Sequence, residues 1–258
     1  MPALTGQNGI RKMVAQTNLA AMQRFFGLTA SVVDLVVRGA RNPAHVSDLL
    51  QQVKEHENFA TRLGLEPVIS DPEAEAVKFT VEDWLRFYRD DCGISISESD
   101  IVIPAPPTFP HWLVAEPAAL TPNQGYAAME RRFGGNQCWR HTGNLDVYER
   151  IHSFIGVRAF YVRARIEADE ELKDQSAQMI WDAKTSTLSL QAREALECLF
   201  FEKTNQHLDR QNVTLCSGSR DSDGNVPRVY WRPDTGELGV RWCDSGFRRV
   251  DVRARQQF

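Results

Sequence analysis

The residues of this chain that could do chemistry are scattered, except near its C-terminal end. A nucleophile elbow would need Gly-x-Ser-x-Gly at a strand-to-helix turn, and the sequence has none. Cys216-Ser217-Gly218-Ser219 ends an expected strand without opening a helix. The six histidines, His45, His56, His111, His141, His152 and His207, show no HxH or HExxH spacing, and most are expected at the surface or at caps. Asp221-Ser222-Asp223-Gly224-Asn225 places carboxylates at alternate positions, as a calcium loop does. It lacks the closing bidentate Glu and the flanking helices, so it reads as a solvated turn. The acidic run Glu167-Ala168-Asp169-Glu170-Glu171 reads as a solvated helix start. Gly134-Gly135 follows a helix and reads as a C-cap, the wrong side for a phosphate cradle. No catalytic residue, cofactor or metal is expected, and nothing in these patterns demands an enzyme.

Residues 214–258 differ in kind. From Arg220 onward there are eight Arg, six Asp or Glu and no Lys, with Asn225, Tyr230, Trp231, Trp242 and Phe247 among them. Arg, Tyr and Trp offer planar contact surface at modest entropy cost and dominate binding hot spots, whereas Lys is a mobile, strongly hydrated charge. In Arg228-Val229-Tyr230-Trp231-Arg232, residues 228, 230 and 232 share one face of a strand, and Val229 and Trp231 the other. In Gly239-Val240-Arg241-Trp242, Val240 and Trp242 point together and Arg241 points away. The apolar set gains ~1.5–3 kcal/mol per side chain from burial, so the Arg/Tyr set is expected to be presented. An ordinary half-buried sheet with Arg in place of Lys shows the same alternation.

The elements that must position these residues are legible from period and punctuation. Residues 10–66 are helical in pattern, with apolar residues at three- and four-residue steps and breaks at Gly27, Gly39 and Gly64. Thr80 and Asp83 form a capping-box pair that opens a further helix carrying Trp84, Leu85, Phe87 and Tyr88. Residues 92–110 contain Pro104, Pro106, Pro107 and Pro110 and read as an extended, Pro-rich linker between a helical N-terminal domain, 1–91, and a second domain, 111–258. In that second domain 111–115 is a strand, and Thr121-Pro122 opens a helix to Phe133. A strand follows at 158–165, and a long helix runs from Ser189 to about His207. Strands at 213–217, 227–231, 237–242 and 249–255 follow, separated by Asp223-Gly224, Pro233-Asp234-Thr235-Gly236 and Asp244-Ser245-Gly246. The fold class is α+β: a helical N-terminal region, then a domain with a small antiparallel sheet and two helices.

Bulk properties bound the partners. With 258 residues, 42% hydrophobic and a net charge of −4, the chain can bury a sizeable core and is not a binder of nucleic acid by phosphate neutralisation. No apolar run approaches the ~18–20 residues of a membrane span, and the N-terminus lacks the basic and apolar regions of a signal peptide. A cytoplasmic protein is expected, with a non-classical route to the surface left open, as is homo-oligomerisation. The five cysteines, Cys92, Cys138, Cys198, Cys216 and Cys243, form no CxxC pair and favour a reducing compartment. Cys198 reads as a small buried hydrophobe, and pairing of Cys216 with Cys243 across neighbouring strands stays open.

The order of elements after residue 111 is similar to a C-type-lectin-like domain. Its closing part is the run from Leu215-Cys216-Ser217-Gly218-Ser219-Arg220 through Gly224-Asn225-Val226-Pro227 to Tyr230-Trp231. With Leu238-Gly239-Val240-Arg241-Trp242 and Arg253-Ala254-Arg255, that part resembles the variable target proteins of diversity-generating retroelements. In that family, adenine-directed mutagenic reverse transcription rewrites codons at the end of a lectin-like fold. The GGSW-type and GFR-[LV]-type signatures are absent, and Gly246-Phe247-Arg248-Arg249 is a partial echo. The resemblance implies a framework of Gly218, Ser219, Arg220, Gly224, Val226, Pro227, Trp231, Val240 and Trp242. It implies a displayed, ligand-binding set of Asp221, Asn225, Arg228, Tyr230, Arg232, Arg241, Asp244, Phe247, Arg248 and Asp251, facing a protein or glycan. Two other readings compete. One is a formylglycine-generating-type oxidase using Cys216 or Cys243, for which no pair of adjacent reactive thiols is evident. The other is an interaction protein whose N-terminal helices do the work while the C-terminal domain is structural.

Overall fold

The structure, a computed structural model, describes residues 71–258. The helical segments expected within 10–66 lie outside the described residues. Among the described residues the elements run α1 (Pro72–Ala76), α2 (Val81–Cys92), β1 (His111–Pro117), α3 (Pro122–Phe133), β2 (Cys138–Arg140), β3 (Glu149–Arg150), β4 (Val157–Arg163), α4 (Ala177–Asp182), α5 (Leu190–Thr204), β5 (Val213–Leu215), β6 (Ser219–Arg220), β7 (Val226–Arg232), β8 (Glu237–Cys243) and β9 (Val252–Arg253).

The helices start where side chains can answer their free amides. At α2, Thr80 Oγ1 accepts from the Asp83 amide and Asp83 returns the bond to the Thr80 amide, 2.8 Å. Gly93, at φ 66°, closes the helix in the left-handed conformation. At α3, Thr121 and Gln124 form the same reciprocal pair, with Pro122 in the first turn. Ser189 caps α5 by accepting from the Ala192 amide. Gly134 follows α3 at φ 85°.

The domain boundary lies elsewhere than the Pro-rich segment. Helix α2 buries Trp84, Phe87 and Tyr88 against β1, where Trp84 Nε1 donates to the Leu113 carbonyl at 2.9 Å and Tyr88 OH to the Ala115 carbonyl. The chain accordingly divides into compact units between Pro67 and Val68, and 92–110 runs inside the second unit with Ile101 buried. Three aromatic rings on one helix face need apolar cover, and β1 supplies it.

The β-structure is more divided and less purely antiparallel than expected. Strands β1 and β4 pair antiparallel along their full length, and the chain end returns beside them, the Tyr161 and Phe258 backbones exchanging bonds of 2.9 Å. A five-stranded sheet has the order β2-β8-β7-β5-β9; β2–β8 and β5–β9 are parallel and the central pairs antiparallel. Strands β3 and β6 form a separate short pair. The closing strand expected at 249–255 shrinks to Val252–Arg253. Residues 111–258 carry three helices instead of the two expected, the short α4 being the addition.

Helix α5 is the centre of the packing. Every residue from Leu190 to Phe200 is buried, so the single apolar face expected from Leu190, Ala195, Leu196, Leu199 and Phe200 understates its burial. One side of the five-stranded sheet contributes Val229, Leu238 and Val240 to this main core. The other side contributes Val213, Leu215, Val226, Cys243 and Val252 to a second, smaller core closed by Leu172, Ala177 and Ile180. Cys216 belongs to the main core and Cys243 to the second, on opposite sides of the sheet, and β7 separates their strands; both are free thiols. Cys198 is buried, as expected.

Burying α5 on all sides from Leu190 to Phe200 also buries the charges of that stretch. Arg193 is fully buried and bonds Glu197 at 2.6 Å and Asp209 at 2.8 Å, and buried Arg255 reaches Asp209 at 2.7 Å. Burial alone would raise the Asp209 carboxyl, but Arg255 and Arg193 outweigh it and hold it below the usual range. His207, just past the end of α5, is buried, its Nδ1 2.8 Å from Glu197. The acidic run at 167–171 is likewise anchored: Asp169 is buried against Arg163, and Glu167 accepts from the amides of Arg210, Gln211 and Asn212. Its helical part is the single short turn Glu170–Leu172.

Glu194 is the exception. It is fully buried on α5 against α3, where a Cβ at Gly125 would collide with its carboxyl group, and neither carboxyl oxygen has a partner among the described residues. Burial pushes its pKa well above the usual carboxylate range.

Two outcomes follow for stability. Leu196→Ala or Phe200→Ala should each cost about 2–5 kcal/mol in denaturant unfolding, as large-to-small changes at fully buried sites. Glu194 is raised in the folded state, so its contribution is complete below the unfolded pKa of about 4.3 and declines as pH rises until the group ionises, by about 1.4 kcal/mol per pH unit. Glu194→Gln should remove that component of the slope, measured as unfolding free energy between about pH 4 and neutrality.

Candidate functional site

The expected display set lies on and around β7 and β8. Their antiparallel register places Arg228 opposite Arg241, Val229 opposite Val240, Tyr230 opposite Gly239 and Trp231 opposite Leu238. Because side chains alternate, Arg228, Tyr230, Arg232, Gly239 and Arg241 share one side, and Val229, Trp231, Leu238 and Val240 the other. Val229, Leu238 and Val240 are fully buried on α5's side, while Arg228, Tyr230, Arg232 and Arg241 are half-buried on the opposite side.

Two aromatic residues depart from expectation. Trp242 shares a side with Val240 yet is 44% exposed. It stands opposite Pro227 at the end of the ladder, beside the His141 ring at 6.4 Å, beyond the residues that α5 covers. Trp231 is half-buried, stacked on His207 with centroids 3.7 Å apart and planes within 9°. The strand parity holds; the edge of the core decides which tryptophan is covered.

The presented side is not bare. At one end Tyr230 and Phe247 lean on the second core. At the other, β2 adds Trp139, whose backbone pairs with Gly239 and whose ring lies under Arg241, 4.7 Å from centroid to guanidinium. Arg228 lies over Phe247 at 5.2 Å. Gly239 gives Tyr230 its place, since a Cβ there would stand 3.0 Å from the Tyr230 ring. The central patch is therefore Trp139, Arg241, Arg228, Tyr230 and Phe247. Trp139 was not singled out from sequence, because the three-residue β2 carries too little alternation to reveal its face.

The remaining members of the set are engaged locally. Asp221 accepts from the amides of Asp223 and Asn225 and from the Asn225 side chain, and so builds its turn. Arg232 pairs with Glu237 at 3.2 Å, Arg248 with Asp174 at 2.7 Å, and Arg249 with Asp251, whose carboxyl is held below its usual range chiefly by that bond. Asp244 is exposed at the turn after β8 and accepts from the Phe247 amide through its backbone.

The residues read as framework lock the backbone beneath this face. Gly218 lies against the entry to α5, where a Cβ would come within 2.5 Å of the Thr187 carbonyl oxygen, and its amide bonds the Leu188 carbonyl. Ser219 Oγ accepts from the Leu190 amide at 3.1 Å. Burial pushes the Cys243 thiol up to about 11 and the Cys216 thiol higher, so both stay protonated at neutral pH. No group of three or more metal-ligating side chains is gathered among the described residues, and no helix among them is long and apolar enough to cross a membrane. Comparison with protein-family models, curated proteins and solved structures finds no match to this chain.

The corrected parity separates the two tryptophans. Trp231→Ala should cost about 2 kcal/mol or more, through the lost His207 stack and core contact, and Trp242→Ala less than about 0.5 kcal/mol, as compared by equilibrium unfolding.

Proposed function

We propose that this protein is a ligand-binding display protein and a hypervariable target of a diversity-generating retroelement, with a C-type-lectin-like C-terminal domain that binds protein or glycan. The observation that carries the reading is the division of labour on one sheet. Val229 and Val240 are fully buried toward α5, while the residues beside them in each strand, Arg228, Tyr230 and Arg241, turn to the other side, next to Trp139. Side chains on that side can be exchanged without entering the main core, on a backbone held by Gly218 and Ser219. The order strand β1, helix α3, strand β4, helix α5 and closing strands supports the lectin-like part of the proposal. An oxidase working through Cys216 or Cys243 would need accessible thiolates, and both thiols are buried and protonated.

Sequencing the locus tests the proposal. A reverse-transcriptase gene beside a near-repeat of the final stretch of the gene, differing at adenines, is expected, with sibling copies changed at codons such as 228, 230 and 241 and constant at 218, 229 and 240. A locus without such an element, or copies varying equally at buried and presented positions, would overturn it.

A further inference from the structure

Arg228 and Arg241 stand directly opposite each other on neighbouring strands, on the same side of the sheet. Like charges in that position repel, and natural sheets usually pair them with carboxylates. Here neither guanidinium has a hydrogen-bond or ion-pair partner among the described residues, and the Nε of each is buried and unanswered. Asp251, whose carboxyl feels the Arg228 charge, is bound by Arg249, and the nearby Glu237 is taken by Arg232. What holds the two guanidinium groups is aromatic: Arg241 lies over Trp139 and Arg228 over Phe247, with Tyr230 on the same side. These cation–π contacts hold the guanidinium groups over the rings and leave the Nη donors, which no described residue binds, without acceptors.

We propose that this pair is the anion-recognition centre of the face, and that its ligand is an acidic segment of a protein partner. A carboxylate set between the two guanidinium groups would relieve their repulsion and take up their donors in charge-assisted, forked bonds. Trp139, Tyr230 and Phe247 around it offer apolar and ring contact to the side chains that flank an acidic residue in a peptide. The platform is built of adjacent sheet strands, and Arg with aromatic residues is the composition of protein-binding hot spots. The whole chain carries a net charge of −4, so bulk electrostatics would repel an acidic partner and any attraction must be local. The inference rests on reading this side of the sheet as a binding face, but not on the face being variable.

The test uses the full chain and the random copolymer poly(Glu,Tyr) as the immobilised probe, with heparin as a second surface. The wild-type protein should bind poly(Glu,Tyr), and the affinity should fall as salt rises from ~0.05 to ~0.5 M. R228A/R241A should weaken binding at least about tenfold with little change in melting temperature. R228K/R241K, which keeps both charges but not the planar forks, should also bind several-fold more weakly, and it serves should the alanine variant not fold. Absent binding, or equal binding by wild type and the lysine variant, would overturn the anion centre. Tighter binding to heparin than to poly(Glu,Tyr) would overturn the protein partner in favour of a sulfated glycan. A locus without a retroelement would leave these results untouched, whereas failure here with a variable locus would remove only the ligand class.

Discussion

The structure depends on the ion network buried around α5. Arg193 and Arg255 face Glu197 and Asp209, so two positive and two negative groups are withdrawn from water together. Their remaining donors are met as well: Arg255 donates to the carbonyls of Arg165 and Ile166, and Thr214 donates to Asp209. Desolvation offsets most of the attraction in such a network, so its net contribution to stability is small, yet removing one member leaves an uncompensated charge and costs about 3–5 kcal/mol. The network joins the central helix, the loop after it, β5, the segment following β4 and the chain's last residues.

A second node does the same work at the start of the helix, about one turn before Arg193. Glu116 on β1 is fully buried, paired with Arg150 at 2.6 Å and Arg158 at 2.7 Å, and accepts from Ser189, the residue that caps α5. Arg150 also donates to the carbonyls of Pro117, Ala118 and Leu120, so the loop between β1 and α3 has its backbone answered by a side chain from β3. With the first half of α5 fastened by these two nodes, the stretch from Leu190 to Phe200 can be buried on all sides and still be held in place. Glu194, buried in the same helix without a partner among the described residues, contrasts with Arg193 and Glu197, whose charges are paired.

That rigid underside lets the opposite side of the sheet carry unbalanced charge. The Arg228 and Arg241 pair would be a liability in a marginal fold, because repulsion between them acts against strand pairing. Here Val229 and Val240 hold the same strands onto the main core from beneath, and the aromatic stacks hold the guanidinium groups from the side. The cost of the presented residues is carried by neighbours one position away in sequence and on the opposite side in space.

Much of this was legible in the sequence, for a local reason. Caps such as Thr80 with Asp83 and Thr121 with Pro122, and the parity of Val229 against Tyr230, follow from side-chain and backbone geometry within four residues. Tertiary structure decided the rest. Strand parity says which side Trp242 occupies but not that the covering helix stops short of it. Likewise Trp139 joins the face only because β2 pairs with β8 from about a hundred residues away. The burial of Arg193, Glu197 and His207 left no trace in the local pattern, since polar residues in a helix carry no mark of the partners that bury them. The Pro-rich stretch resembled a domain boundary because composition reports stiffness, whereas the boundary is set by where Trp84, Phe87 and Tyr88 find cover. The sequence by itself determined where the capped helices begin and how side chains alternate along the longer strands. Which of those sides is buried depended on long-range contacts, because burial belongs to pairs of surfaces and only one of each pair is written in any local stretch of chain.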